Sequence, residues 1–128
     1  MRKEGHWDIR CPKALREMFP VRRGYYYKVN REQAHRICTL LCRSYGIKDY
    51  PDVAVDIKFL RHIDARGCYV KDTQQIIMYS RNHMKTIFHE FYHHLDHVTH
   101  GKYNSDDREH LAHEFADKLW EKFRRRDT

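Results

Sequence analysis

Apolar side chains recur every three or four residues in three long segments of the chain, a spacing typical of helices with one buried face. These segments predict helices over about 31–45, 82–99 and 105–124. Asn30 and Ser105 stand where an N-cap is expected, and Gly46 and Gly101 stand where a helix would end. The capping residues therefore agree with the periodicity about where the helices lie.

A second pattern, in which apolar and polar residues alternate, indicates strands between the first two long helices. The stretch DVAVDIKF at 52–59 places its large apolar residues on one face, and the stretches GCYV and QQIIMY indicate a hairpin over about 67–79. The order of elements predicts an α+β fold. Its small antiparallel or mixed sheet, of about three strands, would pack with an N-terminal, a middle and a C-terminal helix.

The length of 128 residues fits a single domain, 1–128, with an N-terminal extension over 1–29 and a core over 30–124. Charged residues make up 34% of the chain, and no apolar run approaches the roughly 20 residues of a membrane span. The N-terminus lacks the apolar stretch of a secretory signal. The sequence therefore predicts a cytoplasmic protein without a membrane partner, in which the four cysteines build no disulfide framework.

The net charge of +7 raises the question of an anionic partner. A nucleic acid is the functional interpretation. The alternative is a basic surface that serves solubility, and the scattered distribution of Lys and Arg favours it. The sequence predicts no particular oligomeric state.

Five histidines crowd the middle helix, in the stretch TIFHEFYHHLDHVTHG at 86–101. At about 100° per residue, one stripe of this helix is apolar and comprises Met84, Ile87, Phe88, Phe91, Leu95 and Val98. The opposite side carries a row of four histidines, namely His89, His93, His97 and His100. His94 lies nearer the apolar stripe and is interpreted as structural. Core packing does not require the row, so we interpret it as a candidate metal-binding face.

Within this row, HEFYH is an HExxH motif. Histidines four residues apart project from one face of a helix, so His89 and His93 can reach one zinc ion at about 2.0–2.1 Å. Glu90 follows the first of them and can act as general base on a water molecule at an open coordination position. The alternative is a surface helix with solvated histidines or an accidental metal-binding tract, since HExxH also occurs by chance.

The third zinc ligand has to come from another part of the chain. On a straight helix, His97 lies too far along the axis to converge with the other two histidines. The extended motif of the metzincins, HExxHxxGxxH, also fails, because Asp96 and Thr99 stand at its glycine and third-histidine positions.

The C-terminal helix offers three candidates for that ligand. Glu109 lies at the edge of the apolar stripe, where it can face a cleft between two packed helices, whereas Glu114 points largely away from the stripe. We therefore predict Glu109 as the third ligand and Glu114 as the runner-up. His113 is the remaining alternative, since SprT-like proteases complete HExxH with a later histidine.

An HExxH helix followed by a helix that carries a glutamate resembles the gluzincin clan of zinc metallopeptidases. The segment EHLAHEFA keeps their E-x-x-A-[D/N]-x-F-A pattern at Glu109, Ala112, Phe115 and Ala116. The likeness covers about 82–116 and extends loosely back to residue 31. The small size resembles the minigluzincins, and small intracellular peptidases that cleave repressor proteins are also similar. His113 departs from the pattern, since the family has Asp or Asn there to orient a metal-ligating histidine.

This resemblance implies a zinc-dependent endopeptidase with Zn2+ as cofactor, a peptide or protein as substrate, and Glu90 as general base and acid. It also implies that the strand before the histidine helix pairs with the substrate backbone as a sheet edge. That strand comprises Gln75, Ile76, Ile77 and Met78. The alternative is an ordinary edge strand.

The same mechanism needs a donor for the oxyanion. The candidates for that donor, or for a residue that orients a ligand, are His100, Tyr103, His110 and His113.

Two other functions stay open at this point. A catalytically weak or latent zinc-binding module for protein interaction would share the ligands. Structural zinc, however, needs no base such as Glu90 and prefers four closed ligands. A protease associated with nucleic acid would account for the positive net charge.

Overall fold

The computed structural model describes residues 7–19, 27–99 and 105–125 of the chain. Over these residues the fold is α+β, as the sequence predicts. The helices are α1 (Lys13–Met18), α2 (Arg31–Ser44), α3 (Ile57–His62), α4 (Met84–Val98) and α5 (Ser105–Arg124). The strands are β1 (Lys28–Val29), β2 (Asp52–Val55), β3 (Cys68–Val70), β4 (Gln75–Met78) and β5 (Asn82–His83).

The three long predicted helices are confirmed, with ends that shift by no more than about two residues. At the start of α2, the Asn30 side chain accepts a hydrogen bond from the Gln33 N–H, and the Gln33 side chain accepts one from the Asn30 N–H, both at 2.9 Å. Beyond its end, Gly46 adopts a φ of 69°, a conformation in which a Cβ would be strained. The predicted stop of α4 at Gly101 lies outside the described residues.

The main sheet is mixed and has the strand order β2–β4–β3. β2 runs parallel to β4, and β3 runs antiparallel to it. The prediction that Gln75–Met78 is an edge strand is therefore wrong, because β4 is hydrogen-bonded on both sides. Its consecutive buried residues, Ile76, Ile77 and Met78, suit a central strand that is covered on both faces. Among the described strands, β3 is one edge of this sheet, and it packs against α4.

The alternating stretch 52–59 does not form one strand. β2 ends at Val55, and α3 begins because the Asp56 carboxylate caps it by accepting a hydrogen bond from the Phe59 N–H at 3.0 Å. Val53 is buried, but Val55 and Phe59 are 41% and 37% exposed, so the predicted common apolar face does not exist. The N-cap at Asp56 therefore starts a helix where the alternation of apolar and polar residues predicted a continued strand.

The second sheet consists of two short strands, β1 and β5, which pair antiparallel. β5 leads directly into α4, and the His83 Nδ1 accepts a hydrogen bond from the Lys85 N–H at 3.0 Å. This pairing fixes the start of the histidine helix against the strand that precedes α2.

α4 occupies the centre of the fold, where it packs against α5, α2 and β3. Its predicted apolar stripe is buried except at Val98, which is partly exposed. Along the described parts of the chain, none of the helices has the length and apolar surface that crossing a bilayer would need.

The segment that precedes residue 30 contributes to the same core. Leu15 and Phe19 are buried in it, and the Trp7 ring meets Tyr45 edge-on, with centroids 5.8 Å apart. The described part of the predicted N-terminal extension is thus packed on the helices rather than separate from them.

Candidate metal centre

His89 and His93 project from one face of α4 toward Glu109 on α5. The Nε2 atom of His93 lies 2.7 Å from Glu109 Oε1, and the Nε2 atom of His89 lies 3.3 Å from Glu109 Oε2. One donor atom from each of the three side chains falls within 4.8 Å of the other two. Within the part of the chain that the structure describes, this is the one group of His, Cys, Asp and Glu side chains that could hold a metal ion.

The spacing of these atoms fits a small divalent cation such as zinc. A tetrahedral site with bonds of about 2.0–2.1 Å separates neighbouring donor atoms by about 3.3 Å. The 3.3 Å between His89 Nε2 and Glu109 Oε2 matches that separation, whereas the 2.7 Å between His93 Nε2 and Glu109 Oε1 is a hydrogen-bond distance, which ligation of an ion would replace. Two imidazoles and one carboxylate also form the ligand set of catalytic zinc sites, which leave the fourth position open.

Burial keeps both histidines in the form that binds a metal ion. Desolvation, with a smaller contribution from His93, lowers the pKa of His89 to about 4. Burial also lowers the pKa of His93. Near neutral pH both rings are therefore neutral, and a ring nitrogen of each has a lone pair to offer.

Two ion pairs tie α4 to α5 on either side of the ligands. The buried Asp96 pairs with Arg108 at 3.2 Å, next to the third ligand in the sequence. The exposed pair of Lys85 and Asp117, 2.5 Å apart, joins the helices farther along. Because these two ion pairs hold α4 and α5 together on both sides of the ligands, Glu109 stays opposite the two histidines although its side chain is 57% exposed.

Glu90 is a buried carboxylate that lines the same cleft as the ligands. Gly67 explains how it is covered, because a Cβ at this position would lie 3.2 Å from Thr86 Cγ2 and 3.4 Å from Glu90 Cγ. The chain entering β3 therefore packs directly on α4, and a Cβ at residue 67 would require Thr86 to give way by a few tenths of an ångström. Burial, and to a lesser extent the Glu109 charge, raises the pKa of Glu90 to about 8. Such a carboxyl can exchange a proton near neutral pH.

The raised pKa of Glu90 predicts how the stability of the metal-free protein depends on pH. A carboxyl whose pKa is higher in the folded than in the unfolded state stabilises the fold when protonated, so its contribution is complete below about pH 4.5 and disappears as the pH rises through about 8. Glu90→Gln carries a neutral amide that does not titrate. We expect the free energy of unfolding of the wild type to fall by about 5 kcal/mol relative to that of Glu90→Gln over this pH window.

Urea denaturation of both proteins, at a series of pH values with a chelator present, measures this difference. The comparison cancels the titration of His89 and His93, which both proteins share. Parallel pH profiles for the two proteins would contradict the assignment of a buried carboxyl to Glu90.

Of the other residues predicted for the site, some line the cleft and others lie outside it. His113 lines the cleft, and its ring centroid lies 4.6 Å from that of His89. His110 does not reach the cleft, since its side chain is 80% exposed and its Nε2 lies 4.0 Å from Glu114. Glu114 pairs instead with Lys118 at 3.1 Å, so the runner-up for the third ligand faces away from the histidines.

His100 and Tyr103, the two remaining candidates for an oxyanion donor, lie outside the described residues. His97, which the sequence excludes as a ligand, contacts the Tyr69 ring at a centroid distance of 6.0 Å and does not belong to the metal-binding group.

His94 has the structural role that its position on the wheel predicts. It is fully buried, its Nε2 donates a hydrogen bond to the Asp49 carbonyl at 2.5 Å, and its Nδ1 accepts one from the Tyr69 hydroxyl at 2.7 Å. The bond to Tyr69 fastens β3 to α4 directly beside His93, and the bond to Asp49 fastens the segment before β2 to the same helix. No pattern in the sequence indicates this arrangement, since the partners of His94 lie 25 and 45 residues away.

A cleft of about 1290 Å³ contains the ligands and is bounded by β3, α4 and α5. Its β3 wall includes Gly67, Cys68 and Tyr69, which the sequence analysis did not assign to the site. The glycine before a short strand was the available signal for this wall. The strand beside the candidate metal centre is thus β3 and not β4.

Fold and site together define an α+β protein with a candidate His–His–Glu metal centre in an open cleft. No protein-family model matches the chain, and comparison with curated proteins and with solved structures gives no match either. The function of the protein therefore has to be inferred from the residues of the site.

Proposed function

We propose that the protein is a zinc-dependent endopeptidase of the gluzincin type. One observation carries the proposal: His89, His93 and Glu109 converge in a cleft beside Glu90, a buried carboxylate that is not one of the three ligands. A site that only stabilises the fold needs four closed ligands and no carboxylate of this kind. An open position beside a base is the arrangement that hydrolysis requires.

The chain's own residues divide the work of peptide hydrolysis. Bound zinc would polarise the scissile carbonyl and lower the pKa of the attacking water. Glu90 accepts the proton of that water and donates it to the nitrogen of the leaving amine. Its pKa of about 8 applies to the metal-free protein, in which the carboxyl is largely protonated at pH 7, and the positive charge of a cation held by the three ligands would lower this pKa toward the ionised form that accepts a proton. His113 is the described candidate that lines the cleft, and we assign it to the negative charge that develops on the carbonyl oxygen.

The substrate backbone lies along β3 in this proposal. β3 has β4 as its hydrogen-bonded neighbour, and its other side borders the cleft. An extended peptide can add to such an edge as a further strand. The hydrogen bond from the Tyr69 hydroxyl to His94 Nδ1 supports this assignment, because it holds β3 against α4.

We also place the activity in the cytoplasm, where thiols stay reduced. All four cysteines lie in the described part of the chain and are thiols, two of them buried on α2. The net charge of +7 is what supports a nucleic acid as an additional partner.

The zinc content of the purified protein tests the proposal. We expect about one zinc per chain, loss of hydrolysis of an unfolded protein substrate after chelation, and recovery when zinc is added back. Elemental analysis and mass spectrometry of the products measure both quantities. A chain that neither carries zinc nor takes it up near neutral pH would remove the basis of the proposal.

A further inference from the structure

The cleft extends well beyond the metal centre, toward the start of α4 and the last turns of α5. At that end it is lined by three aromatic side chains, Tyr27, His83 and Trp120, which we call the aromatic wall. They come from the residue before β1, from β5 and from α5, so three separate parts of the chain build it. None of them takes part in the chemistry proposed above.

Ring contacts hold the aromatic wall in one geometry. The Trp120 ring meets His83 at a centroid distance of 4.8 Å and Tyr27 at 5.7 Å, both edge-to-face. Phe123 stacks against Trp120 with an interplanar angle of 22°. Tyr27 and Phe123 are buried, whereas Trp120 and His83 keep part of their surface exposed. Buried Phe123 thus supports the aromatic wall, which exposes aromatic surface of Trp120 and His83 to the cleft.

The distance from the metal centre to the wall is too long for a pocket next to the scissile bond. His83 precedes His89 by six residues and Trp120 follows Glu109 by eleven, which at about 1.5 Å per residue corresponds to roughly 9 and 16 Å along the two helices. An extended peptide advances about 3.3 Å per residue. The wall therefore lies about three to five substrate residues from the reacting bond.

The segment of cleft between the metal centre and the wall is polar. The exposed ion pair of Lys85 and Asp117 spans α4 and α5 there, and both side chains line the cleft. Beyond this ion pair, Trp120 and His83 offer aromatic surface to a substrate side chain. The cleft therefore has a reacting end at the metal centre and an end at the aromatic wall where a substrate side chain can bind.

From this geometry we infer that the aromatic wall is a distal subsite, which binds an aromatic side chain of the substrate about three to five residues from the scissile bond. The inference rests on the proposed peptidase function for the identity of the ligand as a peptide. Aromatic rings suit the wall because its rings offer edges and faces at fixed positions, and aromatic pairs favour such offset or edge-to-face contacts. The substrate would then be a chain long enough to span both ends of the cleft.

Binding of a blocked peptide to the full-length Glu90→Gln chain tests the subsite without turnover. The probe has about ten residues, a single Phe among Gly and Ser, and no Trp; the matched probe has Ala in place of Phe. The chain has two tryptophans, and Trp7 packs on Tyr45, away from the cleft. We expect the Phe peptide to shift the indole N–H signal of Trp120 in NMR spectra and to leave that of Trp7 in place.

The variant Trp120→Leu is expected to weaken binding of the Phe peptide by about tenfold or more, as for an aromatic anchor in an interface. The matched control is Tyr50→Leu, since Tyr50 is an exposed aromatic residue that does not line the cleft; it should bind as the unmodified chain does. Equal shifts of Trp120 with the Phe and Ala peptides would overturn the inference. The NMR comparison decides the question on the unaltered residue if Trp120→Leu does not fold.

Cleavage sites mapped in a peptide mixture provide the second readout, with an aromatic residue expected about three to five positions to one side of the cut. Cleavage without such a preference would overturn the subsite and leave the peptidase standing. A chain that binds the Phe peptide at Trp120 but has no zinc and no hydrolysis would overturn the proposed function and support the subsite.

Discussion

Replacing Glu90 by Gln is expected to leave zinc bound at about one ion per chain and to reduce peptide hydrolysis by about a hundred- to ten-thousandfold. The amide has the shape of the carboxylate but cannot accept a proton. Glu90 does not belong to the group of three side chains that could hold the metal ion, so its replacement should leave the zinc affinity unchanged. The measurement pairs elemental analysis with kcat/KM for one peptide substrate in both proteins.

The zinc content serves as the internal control of this experiment. A variant that has lost both zinc and activity would show that Glu90 is needed for the structure of the site. Because Glu90 is buried beside Gly67, thermal denaturation of the variant would detect such a structural role. Turnover close to that of the wild type, with zinc in place, would contradict the assignment of Glu90 as the base. The proton would then have to pass to another group of the cleft.

Those parts of the site that depend on one helix could be predicted from the sequence. His89 and His93 are four residues apart, and helical geometry alone sets both on one face. Glu109 was accessible to the same reasoning, since the apolar stripe of α5 fixes which side of that helix meets α4. His94 was identified as structural for the same reason, although its partners were not.

What failed was the arrangement of strands. The segment Gln75–Met78 looks the same in the sequence whether it lies at the edge or in the centre, because its position depends on the pairing with Asp52–Val55, far away in the chain. The alternation through 52–59 was broken by one carboxylate, Asp56, whose hydrogen bond to the Phe59 N–H begins a helix. In both cases the deciding contact was a hydrogen bond that the hydrophobic pattern does not encode.

Residues of the cleft that come from separate elements were also beyond the sequence. Gly67 matters through its approach to Thr86 and Glu90, and Trp120 matters through its position in the wall of the cleft. Its contacts with Tyr27 and His83 join positions that are distant in the chain. Tertiary contacts of this kind depend on the relative placement of helices, which amphipathicity constrains only to a face.

Replacing Glu109 by Gln is expected to weaken zinc binding by more than about a hundredfold, which is the upper range for loss of a residue that merely supports a ligand. The neutral amide oxygen is a poorer partner for a cation than the carboxylate, while the side chain keeps its size. His89 and His93 alone would leave two of the protein's three donors. Competition with a chromophoric chelator measures the dissociation constant of the zinc complex for the wild type and the variant.

Glu114→Gln is the matched control, because Glu114 lies five residues farther along the same helix and pairs with Lys118 on the outer face. It should bind zinc as the wild type does, with a loss of stability of no more than about 0.5 kcal/mol from the exposed pair. Equal weakening in both variants would indicate a general effect of charge on α5. Undiminished affinity in Glu109→Gln would instead transfer the third ligand to His113, the other side chain of α5 that faces His89, and the double variant Glu109→Gln, His113→Ala would then be the one to lose the metal.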